Sequence, residues 1–299
     1  MRKDFFTPQG MPEKSGHTFF PDEGYKGEPK GIIQFIYGIT SKTENYEKMF
    51  EHFTDEGYTV YCLDLMAHGN NKTEADAKIP NYFTECLKQQ QTLNEHINKL
   101  NENSPAKAPV ICMGHSNGSY LLLDMMKKPQ FRADNIILTG MGDIAAQPIR
   151  GTNPAINLIA EKASKRAATG IMYYTQFKPK KDDLPKQMVK DLMAATDDKG
   201  LYNAEKIANH IGSTPVSLIS GEGDLTTNGG EATKKLNTAF VNAGINSSVN
   251  IIKGMKHSIT INSADPITQE ITRVPHPACL PVIDSCLQRT KIEIQMQGM

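Results

Sequence analysis

Six short apolar runs punctuate the chain: Gly31–Gly38 (GIIQFIYG), Tyr58–Leu65 (YTVYCLDL), Pro109–Met113 (PVICM), Asn135–Thr139 (NIILT), Pro215–Ser220 (PVSLIS) and Ser248–Ile252 (SVNII). Each is nearly continuous in apolar and β-branched residues, as strands buried on both faces of a sheet are. Between the first two, Tyr46, Met49, Phe50 and Phe53 recur at i, i+3, i+4 and i+7, which predicts an amphipathic helix. Gly57 supplies the break after it. A second helix is expected over Tyr82 to Leu100, a third just after Ser116 with Tyr120, Leu121, Leu122, Met125 and Met126, and a fourth near Glu231–Ala243. Strands alternating with helices give an α/β class: a mostly parallel central sheet flanked by crossover helices.

Residues 144–212 break this alternation. The stretch is helix-prone and Lys-rich, is punctuated by Pro148, Pro154, Pro179 and Pro185, and holds no clear strand. It reads as a helical cap inserted into a core made of 1–143 and 213–299. After Ser258 no amphipathic helix is expected, because Pro275, Pro277 and Pro281 would interrupt one, and the final EIQMQGM reads as extended.

Composition narrows the partners. Hydrophobic residues are 38% of 299, enough for a sizeable core, and 33 basic side chains balance 33 acidic ones. A neutral balance gives no electrostatic reason to expect nucleic acid or an anionic membrane as the main partner. No apolar run approaches the roughly 18 residues of a membrane span. The N-terminus lacks the apolar segment of a secretory signal. Cys62, Cys86, Cys112, Cys279 and Cys286 are odd in number, irregularly spaced and without a CxxC pair, which argues against a disulfide framework or zinc site. A reducing cytoplasm is the expected location, and no cofactor or metal is called for.

The sharpest chemical signal is Gly114-His115-Ser116-Asn117-Gly118, a G-x-S-x-G with a strand before it and a helix after it. That context puts the serine on a strained turn with its hydroxyl exposed, while the glycines let strand and helix approach closely. Ser116 is the candidate nucleophile. A serine hydroxyl needs a general base held by an acid, and in this strand–turn–helix setting the chain order is serine, acid, histidine. His17, His52, His68 and His96 precede the serine, His115 lies inside the turn, and His210 ends the insertion. His257, in the loop after the last apolar run, is the expected base, with His276 in a Pro-rich tail as its rival. Asp224, closing PVSLISGEGD, is the expected acid; Glu222 points differently, and Asp143 is the alternative one strand earlier. Asp64 reads as a turn residue capping nearby backbone N–H groups. The developing oxyanion requires donors, each worth about 10²–10³ in rate; the backbone N–H groups of Asn117 and Ile39 are the candidates.

These segments together resemble the monoacylglycerol lipase, lysophospholipase and serine aminopeptidase-like group of the α/β-hydrolase superfamily, from about Lys30 to Ser258. The markers are GIIQFIYGIT, GYTVYCLDLMAHG, GHSNG, SGEGD and GMKHS, in the group's order. The resemblance implies the α/β-hydrolase fold with a helical cap, Ser116, Asp224 and His257 as a triad, and Ile39 and Asn117 as oxyanion donors. It also implies a small-molecule or lipid ester as substrate, with at most peripheral membrane contact through the cap. The chain departs from the group at Tyr37, where a histidine usually orients the oxyanion loop, and at Ala67, which fills a glycine slot. The cap matches no subfamily; Met172, Tyr173 and Tyr174 read most simply as its core, with a part in an acyl pocket as the alternative.

The function expected is hydrolysis of a carboxylic ester of the monoacylglycerol or lysophospholipid class through an acyl-enzyme on Ser116. An acyltransferase, thioesterase or small-peptide peptidase would use the same triad. A non-catalytic ligand-binding member of the fold is the alternative of another class. Oligomeric state is not legible.

Overall fold

A computed structural model describes residues 1–8, 13–38, 41–66, 68–69, 82–141, 203–264 and 271–297. Eight strands form one sheet: β1 (Arg2–Phe6), β2 (Gly16–Phe20), β3 (Gly31–Ile36), β4 (Tyr58–Leu63), β5 (Val110–His115), β6 (Asn135–Thr139), β7 (Val216–Gly221) and β8 (Ser247–Ile252). Their spatial order is β1-β2-β4-β3-β5-β6-β7-β8. Strands β3 to β8 are mutually parallel, and β2 lies antiparallel to both β1 and β4. All six apolar runs are strands of this sheet, and none is displaced by more than two residues at either end.

Among the described residues six α-helices accompany the sheet: α1 (Glu47–Asp55), α2 (Tyr82–Glu102), α3 (Asn117–Met125), α4 (Ala204–Ile211), α5 (Glu231–Asn242) and α6 (Leu280–Gln297). The stripe read from the sequence is the buried face of α1, with Met49, Phe50 and Phe53 at 0–1% exposure. Phe50 meets the rings of Phe19 and Phe35 at 4.9 and 5.2 Å; full burial of such a side chain stabilises by roughly 2–3 kcal/mol. Gly57 ends the helix with φ +94°, a conformation that favours glycine.

The strand order decides where a site can form. From β3 the chain pairs first with β4 on one side, then β5 is added on the other. The loops after β3 and β5 therefore diverge at the carboxyl edge and leave a crevice between them, the usual ligand position in such sheets.

Three regions differ from the reading of the sequence. The hairpin β1–β2 goes unannounced because β1 (RKDFF) is a largely exposed edge strand with mixed charges. A second hairpin, β9 (Thr260–Ala264) with β10 (Ile271–Pro275), follows the His257 loop. The chain then ends in a helix, not an extended tail. Pro275 closes β10, Pro277 lies in the turn, and Pro281 sits in the first turn of α6, where its missing N–H costs no helical bond. Cys279, Ile283, Cys286 and Leu287 form the buried face there, and Asn135 Nδ2 donates to the Cys286 carbonyl at 2.9 Å.

The expected cap, 144–212, lies outside the described residues except for its end. There α4 buries Ile207 and Ile211 in the main core.

Candidate active site

The turn between β5 and α3 has the expected strain. Ser116 stands at φ 53°, ψ −118°, a region a side chain seldom occupies. It is held there from both sides. Its N–H donates to the Thr139 carbonyl at 2.8 Å, and its carbonyl accepts from Ser119 N at 2.9 Å. A Cβ on Gly114 would lie 2.7 Å from the Ser119 backbone, and one on Gly118 would overlap the carbonyl oxygen of Ile36. Both glycines of the motif are thus required by close backbone approach.

Ser116, His257 and Asp224 meet, though they come from three separate loops. His257 Nε2 lies 2.9 Å from Ser116 Oγ, and His257 Nδ1 lies 3.0 Å from Asp224 Oδ2. Asp224 is fully buried, whereas the His257 side chain keeps 26% of its surface exposed. The loops carrying these two are packed backbone to backbone: a Cβ on Gly221 would overlap the Met255 carbonyl, and Gly223 N donates to that carbonyl at 2.9 Å.

Burial alone would raise the Asp224 carboxyl. The neighbouring His257 and the donors of Thr226 more than offset this, and it sits below the ordinary carboxylate range. Thr226 was not among the residues read from the sequence. Its N–H and hydroxyl donate to Asp224 Oδ1 at 2.9 and 2.6 Å, and its oxygen lies 2.9 Å from His257 Nδ1. The signal was present as D-x-T just past the turn that follows β7, the pattern of an Asx turn.

Other candidates fall elsewhere. Glu222 is exposed. His276 lies in the turn after β10, where its Nδ1 accepts from Ala278 N at 3.2 Å. Asp143, Ile39, Met172, Tyr173 and Tyr174 lie outside the described residues. Asn117 opens α3, where first-turn N–H groups lack a helical acceptor. Gly38, the described end of the loop leading to Ile39, abuts the nucleophile candidate; a Cβ there would be 3.0 Å from Ser116 Cβ.

Beneath the site, His115 is buried, its ring centroid 5.2 Å from that of His257. Thr139 Oγ1 donates to the Gly114 carbonyl at 3.0 Å, so it accepts from His115 Nδ1, also at 3.0 Å. Burial, reinforced by the neighbouring His257, pushes the His115 imidazole down to about 3, and it is neutral.

Tyr37, where the group the sequence resembles usually has a histidine, is bonded through Asp64. The fully buried Asp64 carboxylate accepts from Thr43 Oγ1 at 2.7 Å and from the Tyr37 hydroxyl at 3.3 Å, both at Oδ1. Its Oδ2 lies 2.9 Å from His17 Nε2, and Tyr37 in turn accepts from Leu65 N at 2.7 Å. Asp64 therefore tethers residues on either side of the loop after β3, a larger role than the turn cap expected of it.

A β-sheet of this order, a strained serine between β5 and α3, and an acid and a histidine on the loops after β7 and β8 define an α/β hydrolase. The family profile described as "Serine aminopeptidase, S33" matches residues 27–264. The chain belongs to that family of hydrolases. Among solved structures it is similar to one described as "Lipase (Open form)", at 15% identity and TM-score 0.68, covering 97% of this chain and 99% of that one. It is similar to a thermostable carboxyl esterase from Bacillus coagulans at 17% identity and TM-score 0.61, covering 87% and 92%. A monoglyceride lipase variant from Saccharomyces cerevisiae follows at 17% and 0.54, covering 85% and 90%. At such identities the likeness is one of fold. No curated protein sequence matches the chain.

No helix among the described residues is long and apolar enough to cross a membrane, and no group of three or more His, Cys, Asp or Glu side chains among them is placed to hold a metal ion.

Proposed function

We propose that the chain is a serine esterase that cleaves a lipid-like carboxylic ester, of the monoacylglycerol or lysophospholipid class, through an acyl-enzyme on Ser116. The observation that carries this reading is the relay from Ser116 Oγ to His257 Nε2 at 2.9 Å and from His257 Nδ1 to Asp224 Oδ2 at 3.0 Å. With Nδ1–H committed to the carboxylate, Nε2 is the unprotonated nitrogen facing the hydroxyl. It takes the serine proton as Oγ attacks the ester carbonyl and hands it to the leaving alcohol; Asp224 stabilises the imidazolium formed between the two transfers. Water then repeats the sequence on the acyl-enzyme. The Asn117 N–H, with that of Ile39 as second donor, receives the charge on the carbonyl oxygen. The lipid-like substrate class rests on the motif resemblance.

A fluorophosphonate probe tests the nucleophile: it should label Ser116 in the folded protein, and an unlabelled serine removes the mechanism. Ser116→Ala should lower turnover by at least about 10⁴-fold with the fold intact. A series of p-nitrophenyl esters of rising chain length, run beside a monoacylglycerol and a lysophospholipid, measures the acyl preference. A flat response across that series would remove the lipid-like class while leaving the esterase.

A further inference from the structure

His115 takes no part in the relay, yet it is packed against it. Its ring centroid lies 5.2 Å from that of His257, with 40° between the planes, a contact distance for two rings. Gly140, at φ +62°, leaves room for the approach: a Cβ there would be 3.1 Å from His257 Cε1 and 3.2 Å from His115 Cε1. His115 itself has little freedom. Its Nδ1 is bonded to Thr139 Oγ1 at 3.0 Å across the β5–β6 pair, and the buried Tyr46 ring meets it at 6.4 Å. Thr139 is clasped in turn by Ser119, whose Oγ accepts from Thr139 N at 3.1 Å and donates to the Thr139 carbonyl at 2.9 Å. The His115 ring is therefore fixed to the sheet, while the His257 ring, 26% exposed, hangs from a loop.

We propose that His115 is a positioning residue, a seat that keeps the His257 ring aligned while Ser116 carries the acyl group. The proposal rests on Ser116 being the nucleophile. In the resting site the imidazole is tied at both ends: Nε2 to the Ser116 hydroxyl at 2.9 Å, and Nδ1 to Asp224 Oδ2 at 3.0 Å and Thr226 Oγ1 at 2.9 Å. Acylation turns that hydroxyl into an ester oxygen with no proton to give, and the tie at Nε2 is lost. Both remaining bonds meet at Nδ1, a single point about which the ring can tilt. Deacylation needs Nε2 aimed at the incoming water. It takes the water proton as the new C–O bond forms, and returns it to Ser116 Oγ as the bond from Oγ to the acyl carbon breaks. Packing on His115 resists a tilt toward the sheet, and a misplacement of about 1 Å costs on the order of 100-fold in rate. Burial keeps the seat neutral, so the imidazolium formed on His257 meets no like charge there.

Rapid-quench hydrolysis of p-nitrophenyl butyrate reads the two half-reactions apart: kcat/KM reports acylation, and the intact mass of the quenched protein follows decay of the acyl-enzyme. His115→Ala empties the seat. Its acyl-enzyme should decay at least about tenfold more slowly than that of the wild type, with kcat/KM changed by less than about threefold. His115→Phe, which puts back a ring of similar size, should return most of the loss. A residue that served the fold alone would lower both half-reactions together. Equal losses in kcat/KM and in the decay rate, an unchanged decay rate, or a phenylalanine variant no better than alanine overturns the proposal. Should His115→Ala not fold, His115→Asn, which also lacks the outer part of the ring, carries the same comparison. Fluorophosphonate labelling of the wild type separates the two levels: labelling at Ser116 with an unchanged decay rate overturns only the seat, and absence of labelling overturns the serine mechanism and the seat with it.

Discussion

Thr226 shows how one hydroxyl proton sets the state of the site. The Thr226 hydroxyl has a single proton, and the 2.6 Å contact with Asp224 Oδ1 takes it. Toward His257 Nδ1, 2.9 Å away, the same oxygen can only accept. The imidazole is thereby held as the Nδ1–H tautomer, with that proton shared between the carboxylate and the hydroxyl. Thr226→Val keeps the shape and the backbone N–H but removes both hydroxyl bonds. We expect kcat to fall about tenfold with KM nearly unchanged, and Thr226→Ser to restore it. Steady-state kinetics beside a thermal melt checks this; a loss that tracked Tm and was not rescued by serine would make the threonine merely structural.

At the level of elements, the junction of β5 with α3 depends on absent atoms. An exposed glycine in a helix interior usually gains about 1 kcal/mol when changed to alanine. At Gly118 the new Cβ would overlap the Ile36 carbonyl, part of the sheet backbone, which cannot step aside. Overlap outweighs propensity, and Gly118→Ala should lose on the order of 3 kcal/mol in urea unfolding. Gly24, with nothing within 4 Å of its would-be Cβ, is the control; an equal loss in Gly24→Ala would refute the steric account. The same reasoning explains α6: Pro281 looks like a breaker in the sequence, yet in a first helical turn it breaks nothing.

Across the whole molecule, two buried titratable groups set a common pH dependence. His115 is held neutral down to about 3, against an ordinary value of 6.5. The unfolded chain therefore binds this proton first as pH falls, and stability drains away between those two values. A shift of this size is worth on the order of 5 kcal/mol at most. Asp224 acts in the same direction lower down: its depressed carboxyl stabilises above the ordinary carboxylate range and loses that contribution as pH falls through its native value. The protein should be acid-labile. His115→Gln should flatten the slope of unfolding free energy between pH 6 and about pH 4, measured by urea titrations at several pH values; an unaltered slope would assign the lability elsewhere.

Local pattern was sufficient for much of this. Parallel strands buried on both faces must be apolar throughout, so β3 to β8 are visible as runs, and the elbow motif with its flanking strand and helix located Ser116. Chain order then located Asp224 and His257, because the topology of the fold places their loops in sequence along one sheet edge. What stayed hidden depends on contacts between distant residues. Asp64, Tyr37, Thr43 and His17 become one network only when β2, β3 and β4 lie side by side. The edge strand β1 has no burial pattern to read, and α6 is defined by the face it presents to the core. Whether a ring such as that of His115 meets the catalytic imidazole is likewise settled by folding, since packing belongs to positions in space and not to residue type.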